Sequence, residues 1–122
     1  MKKEIMILVF VLTSLTIFGQ NITGNWNGRL NLHGRELIIV FHISKAKTGL
    51  KSKMDSPVQK AYGIPVTNSI YNDSILKLEI DNAGIVYLGK IYTDYNFIGT
   101  IKLKRSNEIF PLILTKGVRS EE

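Results

Sequence analysis

Cysteine is missing from the 122 residues, tryptophan occurs once, histidine twice and proline three times. Without cysteine the chain has neither a disulfide staple nor a lipid-modified cysteine anchor. Two histidines, His33 and His42, are too few for a metal centre or an acid–base site unless the fold brings carboxylates such as Asp55 or Asp73 to them. Their separation matches no usual ligand spacing, and imidazoles that are solvated or locally bonded are the plainer reading. Past residue 20 no stretch repeats apolar residues at helical spacing over a useful length. A long hydrophobic run is lacking as well. The one apolar segment, residues 5–18, falls short of the ~20 residues that a spanning helix needs.

That segment follows Met1-Lys2-Lys3 and ends at Gly19-Gln20. A short basic start, an apolar core of this length and a small residue after it describe a secretory signal peptide. We therefore read residues 1–20 as a signal peptide, residues 21–116 as one β-barrel domain and residues 117–122 as a polar C-terminal tail. Cleavage near Gly19 or Gln20 places the protein outside the cytoplasm, in periplasm or medium. Acidic residues are the minority, and the formal charge of +6 drops to +5 once Lys2, Lys3 and Glu4 are removed. The compartment and the lack of a recognition motif set nucleic acid aside as a partner. An anionic surface stays open, with Lys45, Lys47, Lys51 and Lys53 clustered around one hairpin as the candidate patch. Lysines on strand faces also discourage edge-to-edge association, which is their commoner role.

The rest of the chain reads as strands. In Ile22-Thr-Gly-Asn-Trp-Asn-Gly-Arg-Leu-Asn-Leu32 the residues Ile22, Gly24, Trp26, Gly28, Leu30 and Leu32 share one face, and polar residues take the other. His33-Gly34 predicts a tight hairpin into a strand over 36–44, with Leu37, Ile39, Phe41 and Ile43 on one face. Ile38 and Val40 make part of its other face apolar. Lys47-Thr-Gly49 turns the chain into 50–55. The stretch 55–65 holds two prolines and predicts a bend or bulge near Pro57, then an edge-like strand over 61–66. Strands over 67–71, 75–81, 85–92 and 97–104 follow, with turns at Asn72-Asp-Ser74, Asn82-Ala-Gly84 and Asp94-Tyr-Asn96. Ser106-Asn107 leads into a last strand whose inner face is Phe110, Leu112 and Leu114.

Short strands with a turn every ten or so residues specify an all-β fold. An up-and-down antiparallel β-barrel of about eight to ten strands accounts for the mid-strand glycines and would remove exposed edges, and an open two-sheet β-sandwich is the alternative. Trp26, Leu30, Phe41, Tyr87, Phe97 and Phe110 would point into such a barrel, either as core or as the lining of a ligand cavity. At this chain length packing is the stronger claim on them. Asp55-Ser56-Pro57 could pair an acid with a nucleophile. It is more simply a turn whose side chains bond their own backbone. No catalytic, cofactor-binding or metal-binding residue is assigned.

Gly24-Asn-Trp-Asn-Gly-Arg-Leu-Asn31, Leu37-Ile-Ile-Val-Phe-His-Ile-Ser44, Met54-Asp-Ser-Pro57, Gly63-Ile-Pro-Val66, Leu76-Lys-Leu-Glu-Ile80, Phe97-Ile-Gly-Thr100 and Phe110-Pro-Leu-Ile-Leu-Thr115, in that order, resemble the N-terminal β-rich domain of secreted Bacteroidetes-type α/β hydrolases. The resemblance spans nearly all of the chain past residue 20. It implies a non-catalytic accessory module that binds a partner, such as a hydrolase or a cell-envelope component. The Gly-x-Ser-x-Gly nucleophile elbow is not in the sequence, so no catalytic residue is carried over. Ile22-Thr-Gly-Asn-Trp26 is also similar to the opening strand of avidin-like and lipocalin-like barrels, which implies the same topology. Two other functions remain in play: a small binder of apolar, lipid-like ligands in the calycin manner, and a truncated remnant of a secreted hydrolase.

Overall fold

The computed structural model describes residues 21–117. The expected signal peptide over 1–20 and the expected polar tail past Gly117 lie outside the described residues. Nine strands follow one another: β1 (Gly24–Leu32), β2 (Arg35–Ala46), β3 (Gly49–Ser56), β4 (Ala61–Pro65), β5 (Asn68–Asn72), β6 (Ile75–Ile80), β7 (Ile85–Thr93), β8 (Asn96–Leu103) and β9 (Glu108–Gly117). They form one antiparallel sheet in the order β4-β3-β2-β1-β9-β8-β7-β6-β5. The barrel-like, up-and-down architecture is thus present, and the open two-sheet sandwich is not. No helix among the described residues is long and apolar enough to cross a membrane.

Turn chemistry sets the registers. His33 and Gly34 both take positive φ, as a two-residue hairpin between right-twisted strands requires, and Leu32 pairs with Arg35. Asp73 and Ser74 do the same between β5 and β6. With the turns placed, the two-residue period puts every second side chain inward. Sixteen apolar side chains are buried in a single cluster, drawn from every strand except β4 and β5. The irregular stretch is a 3-10 turn, Pro57–Gln59, preceded by a register shift between Met54 and Ser56. β4 beyond it is short and lies at an edge, where proline is tolerated.

Closure is less complete than the sequence suggests, because β4 and β5 share no ladder. The chain itself bridges the two edges. Val66 N–H donates to Ser52 O (3.0 Å) and Thr67 N–H to Glu79 O (2.6 Å), while Ser69 Oγ donates to Ser52 Oγ (2.8 Å). The β1–β9 seam is also narrow, pairing only Asn25, Asn27 and Trp26 between them with Thr115 through Gly117. Farther along it Gly28 lets the walls close in: a Cβ there would stand 2.7 Å from the Ile113 carbonyl oxygen.

Candidate functional site

The interior comes first, because a ligand cavity would sit there. Trp26, Leu30, Phe41, Tyr87 and Phe97 are buried and Phe110 is half-buried against the same cluster, so all six face inward. Their rings meet in the interior. Trp26 meets Phe97 edge-on at 4.7 Å between centroids, and Phe41 of β2 reaches Tyr87 of β7 at 6.1 Å. β2 and β7, with three strands between them in the sheet, therefore meet across the middle. The polar tips of the rings are satisfied by the wall: Trp26 Nε1–H donates to Ile22 O (2.8 Å), and the Tyr87 hydroxyl to Leu112 O (3.2 Å). Burial pushes the Tyr87 phenol far above its ordinary range, so it stays neutral.

On the outer face, the register of three adjacent strands assembles a cluster around His42. Asn25 of β1 lies directly across from it, and Asp55 of β3 stands across from Val40, one outward position along. His42 Nδ1 is 2.6 Å from Asn25 Oδ1, and Nε2 is 2.7 Å from Asp55 Oδ2. The second carboxylate oxygen, Asp55 Oδ1, accepts from Gly63 N–H at 2.7 Å, tying in β4. Both ring nitrogens face oxygens. An imidazolium satisfies both contacts as placed, and a neutral ring does so with the Asn25 amide turned to present its nitrogen. Burial raises the Asp55 pKa, but the Gly63 amide and His42 together outweigh it and hold the carboxyl below its ordinary value.

This cluster has the residue types of an acid–base site and the geometry of a clamp. Both His42 nitrogens are engaged, Nδ1 by Asn25 and Nε2 by Asp55. Ser56 is buried and donates to Gln59 Oε1 (2.7 Å), and Ser44 donates to Lys51 O (3.2 Å), so neither hydroxyl is paired with the ring. The sequence expectation that Asp55 and Ser56 bond their own backbone is replaced by these longer connections. His33 is elsewhere, exposed at the β1–β2 turn, with Nε2 2.9 Å from Glu108 Oε2. Among the described residues no three histidine, aspartate or glutamate side chains converge in a way that could hold a metal ion.

Beside the clamp lies an open hollow of about 400 Å³, lined by Asn25, His42, Ser44, Lys51 and Lys53 and by Gly24, Ile43 and Ser52 at inward positions. Lys51 and Lys53 thus come together on one rim, whereas Lys45 and Lys47 stand at the exposed β2–β3 turn. The outer face of the other half of the wall differs. Ile70, Ile75, Leu88, Ile98, Ile109 and Ile113 are exposed on β5–β9, and no large apolar residue is comparably exposed on β1–β3. Comparison of the chain with protein-family profiles, with curated proteins and with solved structures returns no match.

Sequence reasoning named His42 and Asp55 but did not bring them together, and it missed Asn25. The two hairpin turns carry that signal. Once His33-Gly34 and Lys47-Thr48 are centred, counting outward along the ladders sets Asn25 beside His42 and Asp55 one step diagonal to it.

Proposed function

We propose that this protein is a non-catalytic, exported β-barrel module that works through its outer surface, related to the accessory domain of secreted α/β hydrolases. The observation that carries the reading is the packed interior. Phe41 and Tyr87 meet from opposite walls, which favours a partner met on the outside. The engaged nitrogens of His42 support the non-catalytic part, and the resemblance of the ordered strand segments supports the relation to the hydrolase domain. A calycin-like pocket for apolar ligands is disfavoured by the same ring contacts.

The test pairs two assays on the purified protein. Brominated fatty acid should leave Trp26 emission unquenched, since no bromine can lie next to the indole. Aryl esters should not turn over. Saturable quenching at one ligand per chain would assign the ligand-binding function instead. Ester turnover lost on His42→Ala would make the clamp a catalytic site.

A further inference from the structure

The outer face of β5–β9 is apolar and basic at once, in a regular pattern. Side chains paired across the ladders form transverse rows. Lys90 lies between Ile75 and Ile98 in one row, Lys77 between Ile70 and Leu88 in the next, and Lys102 between Val86 and Ile109 in the third. The one carboxylate in these rows is Glu79, which lies 3.8 Å from Lys77 Nζ and accepts from Asn68. Beyond the rows, at the β7–β8 turn, Tyr92 and Tyr95 are among the most exposed large residues, at 72% and 64%.

We propose that this face docks the protein on an anionic phospholipid bilayer. The proposal rests on the reading above that the module acts through its outer surface, and it names the partner. Isoleucine and leucine would enter the boundary between headgroups and acyl chains. Each lysine, its stem lying along the neighbouring apolar side chains, would carry its ammonium out to a lipid phosphate. Tyrosine suits the headgroup layer, where one end of the ring is apolar and the other wet.

Charge decides against the other occupants. A second copy docked by the same face would set lysine rows against lysine rows, and like charges brought together oppose association. Protein partners recognise surfaces rich in aromatic residues, methionine and arginine and poor in lysine. Here every cation of the rows is a lysine. An anionic lipid surface answers both the charge and the apolar content.

Flotation of the purified protein with vesicles tests this. The protein should float with vesicles of phosphatidylglycerol in phosphatidylethanolamine and stay behind with neutral phosphatidylcholine. The double reversal K90E/K102E should weaken partitioning at least roughly thirtyfold, since loss of the two lysines alone removes about 1 kcal/mol each and the new carboxylates are repelled. K45E/K47E makes the same change of net charge at the β2–β3 turn and should leave most of the binding. I98S/I113S should remove the part of the binding that survives added salt. Unchanged Trp26 emission in each variant shows that the barrel is intact.

Failure to float with phosphatidylglycerol at low ionic strength would overturn the proposal. So would equal losses from the two lysine pairs, which would reduce binding to net charge alone. Capture of an acidic protein through Lys90 and Lys102 without vesicle binding would overturn it too, as would a dimer dissociated by I98S/I113S. A protein that ignores vesicles, yet shows neither quenching nor turnover in the earlier assays, would sink the bilayer and leave the surface-acting module standing.

Discussion

Asp55 shows how much one side chain can organise. Its two oxygens hold β2 through His42 and β4 through Gly63, across the place where the register shifts and the proline turn begins. Its folded pKa lies below the ordinary 3.8, so the stabilisation is fully present above the unfolded value and is lost as pH falls through the folded one. Asp55→Asn should therefore cost about 1 kcal/mol near neutrality, a figure kept small by solvent screening. Below pH ~4 its deficit should shrink as the parent protonates. Urea midpoints of both proteins across the acid range check this, and parallel curves would mean that the carboxylate charge contributes nothing. The residue types of the clamp were readable in the sequence. Their meeting was not, because it depends on two ladder registers at once.

Among the elements, the β1–β9 seam pairs over only three residues of each strand. Its ladder is short, and β9 carries Pro111, which brings no amide donor. The walls are joined there by close packing over Gly28, where an added Cβ would also meet Leu112 Cδ1 at 2.7 Å. The leucine can turn away, but the Ile113 carbonyl belongs to the backbone and cannot. Gly28→Ala should lower stability by roughly 1–3 kcal/mol through overpacking. Asn27→Ala, next to it on the outward face, should stay within about 0.5 kcal/mol. Denaturant midpoints of the pair make the comparison, and equal values would mean that the seam has slack. In the sequence Gly28 stands out only as a small residue two places from Trp26. That it faces β9 rather than making room for the indole is a matter of strand order.

At the scale of the whole molecule, one core binds the strands into a unit. Trp26, fully buried, touches Phe97, and Phe97 in turn meets Tyr71 of β5 at 6.0 Å. The indole thus reports on both halves of the wall. Unfolding in urea should be a single transition, with Trp26 emission and far-ultraviolet circular dichroism giving the same midpoint, as small domains with one core usually do. Separate midpoints would show that β5–β9 can open without β1–β3.

The sequence by itself determined the elements. Alternation of apolar and polar residues marked the strands, glycine, asparagine and aspartate marked the turns, and together they assigned inward faces to Trp26, Phe41, Tyr87 and Phe97. These signals are local, since the strand period and the turn conformations involve only a few neighbouring residues. The tertiary structure decided what depends on pairing between distant segments. It placed β1 against β9, left β4 and β5 joined by chain rather than by a ladder, drew Asn25, His42 and Asp55 together, and gathered the exposed isoleucines onto one half of the wall. No local pattern encodes those outcomes, because each is a choice of neighbour made when a curled sheet closes over its core.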